Sequence, residues 1–521
     1  MAYIDDVPPV WNTWRLYQSA RDSTADTRLL ILGDSKCALN SSAANYMHGV
    51  CRTWNVGRWS YLCTRSAYVG SAYWLASGFS AASYSAARAG VNPGGTASGG
   101  DTLLSPNEFF DHPFSGEPPN GSATAFLQAY LNDLLNYASG DPWGGQQVSV
   151  RLPYYQKTGH VPSLRVRSYR YTGTDYTVAG ANFSTINTTA ITVSTGSGAW
   201  TYLDSDCGTG AGPPGVGIVE NSQTENGTRF YSGTITWFKG TPGTRTTGFG
   251  LSSIATGGYT TQSLLRCLGG DGASRTCSEA NVGIYLANTC FWPNFVMLDI
   301  GQNLWGTEST DLAAGTQTTF KANVAAIIDQ LNRIYDLNSQ PRPFWVLCNH
   351  TSSGYTQTTM ETKGRALFDL ARQYGYGFID RLQTMPRDCT TVQAVTSATV
   401  SGAGPTYTIT KVGAFSGYWP QIISLANNGG GVSTVGLARI ESKTNDALTV
   451  RPLTCVFGAG GCNLTTIRPF TMDGTHYASP DTNGNSLTGH GAEWLAQSDW
   501  SAMAGESYGR QLAYATRARV R

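Results

Sequence analysis

Leu29-Leu30-Ile31-Leu32-Gly33-Asp34-Ser35 is the stretch on which the reading of this chain turns. An unbroken apolar run ending on glycine reads as a buried strand that stops at a tight turn. A serine at the tip of such a turn is how an α/β enzyme exposes a nucleophile, with the free N–H groups of the next helix aimed at the same point. Gly, Asp and Ser are also everyday turn residues. The tripeptide gains weight from Asp473-Gly474-Thr475-His476 near the other end of the chain, where a carboxylate and an imidazole stand three residues apart.

Working outward, five segments read as buried parallel strands: Arg28–Leu32, Gly248–Ile254, Asn294–Ile300, Phe344–Cys348 and Gly377–Asp380. Phe320, Val324, Ile327, Ile328, Leu331 and Ile334 keep helical spacing after the third strand. Met360, Leu367, Phe368, Ala371 and Tyr374 make a looser stripe after the fourth. Alternating strand and helix predicts a parallel sheet covered on both faces, with ligands at the carboxyl ends of its strands. Ser35, Gly258 and Asn303 all fall at such ends.

Two stretches break the rhythm. Roughly two hundred residues separate the first and second strands, far more than a crossover needs. One helix is expected there, Ala125–Tyr137, followed by β-patterned segments at Val148–Leu152, Leu164–Tyr171, Ala190–Val193 and Thr234–Trp237. Further β segments follow at Tyr407–Val412, Gln421–Leu425, Leu437–Glu441 and Ala447–Val450. The organisation expected is one discontinuous α/β domain, 1–45 with 245–388 and 465–521. It carries a mixed insertion at 46–143, a β-rich and glycan-binding candidate at 144–247, and a second β-rich insertion at 389–464.

Composition narrows the function classes. Lys plus Arg (35) balances Asp plus Glu (34), so no net field favours nucleic acid or an anionic membrane. Charged residues are 13% of the chain, against roughly 25% in an average domain. A surface solvated by hydroxyls and amides suits secreted and virion proteins. The N-terminus has no basic start or apolar stretch of a signal peptide, and no apolar run reaches membrane-spanning length. The eleven cysteines form no paired Cys-x-x-Cys motif, and no His, Asp and Glu cluster has metal-ligand spacing, so a mechanism without metal or cofactor is expected. Cys455 with Cys462, and Cys267 with Cys277, are candidate disulfides; small buried thiols are the alternative for each pair.

A serine hydroxyl needs a neighbouring base, and His476 is the best available, with Asp473 to fix its tautomer. The backbone N–H of Ser35, that of Gly258, and the Asn303 side-chain amide are candidate oxyanion donors. Asp34 reads as a brace for the nucleophile turn, His350 as a structural or surface histidine ahead of one reaching the cleft from its rim, and His490 as a cap of the final helical segment Gly489–Trp500.

In this order, Gly33-Asp34-Ser35, Gly258, Gly301-x-Asn303 and Asp473-x-x-His476 resemble the four sequence blocks of the SGNH (GDSL-type) hydrolases. Leu487-Thr488-x-x-Gly491 also looks like the family's segment after the histidine. The match covers about 25–45, 245–388 and 465–505. The resemblance implies a three-layer α/β/α sandwich with a five-stranded parallel sheet, and an ester hydrolase working through an acyl-enzyme. It assigns Ser35 as nucleophile, His476 as base, Asp473 as its orienting acid, and Ser35, Gly258 and Asn303 as the oxyanion hole. Lys36 departs from the GDSL pattern at a position whose side chain need not touch the chemistry. Gly70 and Gly78 are alternatives to Gly258.

Two β-rich insertions on such an enzyme resemble accessory modules of carbohydrate esterases and of phage tail enzymes that deacetylate surface polysaccharides. An acetylated polysaccharide is therefore the expected substrate, with an extracellular or virion-associated setting and homo-oligomeric or virion assembly. The competing readings are a virion fibre or adhesion protein whose insertions bind glycan, and a lipase or thioesterase with the same triad.

Overall fold

The computed structural model describes residues 26–34, 36–37, 50, 59–65, 75–76, 110–111, 127–130, 145–156, 163–171, 183–192, 199–210, 214–220, 228–230, 234–255, 258–270, 279–350, 354–384, 394–416, 422–434, 436–465 and 499. All five expected strands form, as β1 (Thr27–Gly33), β3 (Phe249–Ala255), β4 (Phe295–Asp299), β5 (Phe344–Asn349) and β6 (Gly377–Asp380). A further strand, β2 (Trp59–Arg65), lies outside β3. The order is β6-β5-β4-β1-β3-β2, and every neighbouring pair is parallel.

The expected five-stranded sheet needs correction, because the sheet does not stop at β3. Among the described residues it has eleven strands. Beyond β2 it continues antiparallel through Thr234–Lys239, Val148–Gln156, Thr228–Phe230 and Phe110–Asp111, and Ala199–Asp206 also pairs with Val148–Gln156. A β3 edge left open would expose a row of unpaired N–H and C=O groups, and β2 satisfies them. Trp59-Ser60-Tyr61-Leu62-Cys63-Thr64-Arg65 has no continuous apolar run, so its sequence does not advertise a buried parallel strand.

Six helices are described: α1 (Thr261–Cys267), α2 (Glu279–Asn288), α3 (Glu308–Ala313), α4 (Thr318–Leu337), α5 (Gln357–Tyr374) and α6 (Arg381–Thr384). The predicted stripe of α4, Phe320 through Ile334, is fully buried, and α4 packs against α1, α2, α3 and α5. Thr356 caps α5 by accepting from the Thr359 N–H at 3.1 Å, and Gly375 ends it in the left-handed region at φ +72°. Leu30, Leu32, Val296, Leu298, Trp345 and Leu347 share one core with these helices. The alternate residues Leu29, Ile31, Met297 and Val346, which the pleat turns to the opposite face, are buried as well. Both faces of the parallel block are covered.

Elsewhere Leu127–Tyr130, within the helix expected at Ala125–Tyr137, is a strand paired antiparallel with Pro214–Glu220 in a separate sheet, and the rest of that span lies outside the described residues. Pairing with a neighbouring strand has overridden local propensity there. Six strands between Ala394 and Thr465 close into a barrel. Its interior holds Val395, Val400, Ile409, Phe415, Leu425, Leu448, Val450 and Leu464. Cys455 and Cys462 belong to this core as free thiols, not as the disulfide that was one expectation for them. Burial raises both thiols, Cys462 to about 11. Cys277, the expected partner of Cys267, lies outside the described residues.

The β2–β3 junction is close-packed. Gly250 pairs in register with Tyr61, and a Cβ on Gly250 would come within 1.7 Å of Tyr61 Cε1. The Tyr61 hydroxyl is committed to the Cys290 carbonyl at 2.7 Å, so the ring has little room to move. Gly250→Ala should destabilise the protein by about 1–3 kcal/mol in urea unfolding, the usual cost of overpacking. An unchanged midpoint would mean that the ring yields freely.

Candidate active site

Register brings the site's segments together. Gly33 of β1 lies beside Ala255 of β3 on one side and Asp299 of β4 on the other. These three central strands therefore end on one line, and the segments after them (258–260, 34–37 and 300–307) leave the same edge of the sheet. β1 lies between β3 and β4, so the chain changes sides of the sheet across it; ligands collect at such a switch point. Gly33 is needed at the crowded end: a Cβ there would lie 2.8 Å from the Asp299 carbonyl oxygen and 2.9 Å from Cys37 Cβ.

Asp34 ties two of these segments together. Its Oδ1 accepts from the Lys36 N–H and its Oδ2 from the Gln302 N–H, both at 3.0 Å. This is the brace that the sequence suggests. Burial, and then the nearby Asp299 charge, push its carboxyl up to about 6. Gly258 is exposed, with φ +84°, a left-handed backbone that glycine adopts without strain. Two residues on, Thr260 caps α1 by accepting from the Ser263 N–H at 3.1 Å. Asn303 is half-buried, and its Nδ2 donates to the Tyr259 carbonyl at 3.2 Å. One N–H of that amide is used in the bond and a second is left for a ligand. Gly301, at φ +102°, sits over the aliphatic part of Lys363 and the Phe320 ring, each 3.1 Å from where a Cβ would be.

The Asn303 amide is thus bonded to the residue that follows Gly258. Ser35, Asp473 and His476 lie outside the described residues, as do Gly70, Gly78, His490 and the segment 487–491.

Behind the strand ends is a cluster of buried charges that the motifs did not reveal. Asp299, fully buried, accepts from His350 Nδ1 at 2.6 Å, from Cys37 Sγ at 3.3 Å, and from Arg381 Nη1. Arg381 in turn donates from Nε and Nη2 to Asp499 Oδ2, at 3.0 and 2.7 Å. Burial works to raise the Asp299 carboxyl, but Arg381 and then His350 outweigh it and hold it well below the usual carboxylate range. His350 is therefore a buried structural partner of Asp299, not a rim residue. Burial, reinforced by Lys36 and Lys363, keeps its ring neutral. Lys36, for which the sequence reading gave no environment, has its side chain completely buried beside Asp34 and Asp299.

No family model matches this chain, and no curated protein is similar to it in sequence. Among solved structures, a peptidoglycan O-acetylesterase aligns with 73% of this chain and 85% of its own, at 16% identity and a TM-score of 0.34. A family two carbohydrate esterase from Cellvibrio japonicus aligns with 49% of this chain and 82% of its own, at 10% identity and a TM-score of 0.20. One from Clostridium thermocellum, bound to cellohexaose, aligns with 51% and 85%, at 10% identity and a TM-score of 0.19. TM-scores this low leave the fold to be argued from the chain's own strands and registers.

Lys363, fully buried on α5, donates to the His350 carbonyl at 3.4 Å. Burial, and then the charge on Lys36, depress its amine from 10.5 to about 7. The folded protein releases this proton near pH 7 while the unfolded chain keeps it to about 10.5. The group's contribution to stability therefore grows above pH 7 and is lost as pH falls through that value. The slope is at most about 1.4 kcal/mol per pH unit. Urea unfolding at pH 6, 7.5 and 9 should show this rise in the parent and a smaller one in Lys363→Met. Equal slopes would mean that the amine stays charged in the folded state.

Proposed function

We propose that the chain is a serine esterase of SGNH type that removes O-acetyl groups from a polysaccharide by way of an acyl-enzyme. One observation carries this reading: the in-register ends of β3, β1 and β4 release the Gly258 segment, the residues on either side of Ser35, and the Asn303 segment side by side. The Asn303–Tyr259 bond at 3.2 Å draws the two outer segments together. Those are the positions at which the sequence blocks call for donors.

In this reading Ser35 Oγ attacks the acetyl carbonyl carbon while His476 takes its proton, and Asp473 holds the imidazole in the required tautomer. The carbonyl oxygen gains negative charge and is met by the Ser35 and Gly258 backbone N–H groups and the Asn303 amide. The C–O bond to the sugar then breaks, His476 returns the proton to the departing sugar oxygen, and an acetyl-serine remains. Water, deprotonated by His476, adds to that ester; acetate leaves and Ser35 recovers its proton.

A glycan substrate is supported by Trp305, which lies two residues beyond Asn303 and is 44% exposed, with the Arg266 guanidinium 5.7 Å from its ring centre. Tyr and Trp faces at a site's edge present an apolar body to a ligand, and a pyranose ring offers a matching face of C–H groups.

Ser35→Ala should abolish hydrolysis of p-nitrophenyl acetate while leaving the circular dichroism spectrum unchanged; retained turnover would remove Ser35 from the mechanism. A parent that binds glycans on an array but cleaves no ester would favour the adhesion reading, and a preference for long-chain esters the lipase reading. Trp305→Ala should raise KM for an acetylated oligosaccharide severalfold and leave p-nitrophenyl acetate turnover within about twofold, since only the sugar meets the indole. Equal effects on both substrates would dismiss the indole as a sugar contact.

A further inference from the structure

Glu308, the first residue of α3, is completely buried. Burying a carboxylate costs several kcal/mol unless its lone pairs are met, and three donors meet this one. Oε1 accepts from Thr261 Oγ1 at 2.6 Å and from Asn323 Nδ2 at 2.7 Å. Oε2 accepts from the Trp305 N–H at 2.7 Å. The Trp305 bond is local. The other two reach across the fold, to residues 47 and 15 positions away in sequence.

The three donors have distinct places. Thr261 opens α1, directly after Gly258-Tyr259-Thr260. Trp305 follows Asn303 by two residues. Asn323 stands on α4, the long helix against which α1 and α3 pack. One carboxylate therefore bolts the Gly258 segment and the Asn303 segment to each other and to a rigid helix. At the front the same two segments are joined by Asn303 Nδ2 on the Tyr259 carbonyl.

Building on the proposed esterase reading, we infer that Glu308 is the positioning residue of the oxyanion hole. It sets the separation between the Gly258 N–H and the Asn303 amide without touching substrate. The Trp305 partner is a backbone N–H, which can only donate, so that side needs an acceptor. A glutamine at this position meets it with its oxygen and turns its NH2 toward Thr261 and Asn323, which then have to accept: the hydroxyl must turn and the amide must flip. That exchange of donors for acceptors shifts the Thr261 side relative to the Trp305 side.

The test is steady-state kinetics on p-nitrophenyl acetate for the parent, Glu308→Gln, Asn303→Ala and the double variant, with thermal melting of each as a control for folding. Removal of an oxyanion donor outright costs about a hundred- to a thousandfold in kcat. Misplacement by Glu308→Gln should lower kcat about ten- to a hundredfold with KM within about twofold. The distinguishing result is non-additivity. Once Asn303 has lost its amide, Glu308→Gln should cost only a small further factor, because the group that it positions is gone. Should Glu308→Gln fail to fold, Thr261→Val removes one donor, spares the buried charge, and enters the same cycle with Asn303→Ala. Losses that multiply independently in the two backgrounds, or that fall on KM alone, would overturn the positioning role and leave the esterase reading standing. A parent without turnover would overturn the esterase reading and Glu308's role with it.

Discussion

A carboxylate sealed away from water has to be matched nearly oxygen by oxygen, and Asp299 meets that condition where β4 ends. His350, Cys37 and Arg381 all converge on it, from segments that follow β5, β1 and β6. Arg381 carries the connection on to Asp499. Removing any one partner would leave a buried charge partly uncompensated, which is far more destabilising than the intact group is stabilising. The ends of four parallel strands are thereby tied to a single point, and the line along which the candidate site lies inherits its rigidity.

On that base two further carboxylates divide the work. Asp34 joins the turn after β1 to the Gln302 segment through backbone N–H groups, so the link depends on main-chain position and not on a neighbouring side chain. Glu308 joins the Gln302–Trp305 segment to the start of α1. Segments that leave separate strands thus behave as one frame. Preorganised donors need such a frame, because a loop free to drift cannot keep an N–H aimed at a developing charge.

Two buried lysines complete the electrostatics. Lys36 and Lys363 lie in the same dry region as Asp34 and Asp299, and burial depresses their amines to about 8 and about 7. Positive charge there is held partly in reserve, and its amount changes between about pH 7 and 8. The arrangement leaves His350 neutral, with Nδ1 on Asp299 and Nε2 facing no partner among the described residues.

The parallel strands were legible in the sequence, since apolar runs such as Leu29–Leu32 and Val296–Leu298, alternating with helical stripes, fit strands buried on both faces of a covered sheet. So were the α4 stripe, the looser stripe of α5, and the bracing role of Asp34. These are local matters of period and turn chemistry. Tertiary structure alone decided the rest: that the sheet continues past β3 through β2, that Leu127–Tyr130 is a strand, that Cys455 and Cys462 stay thiols, and that Lys36 and His350 are buried. It alone also gathered Thr261, Trp305 and Asn323 around Glu308. The reason is common to all of these. Sheet edges, ion pairs and buried hydrogen bonds are settled between residues tens to hundreds of positions apart, and no local pattern records which of them will meet.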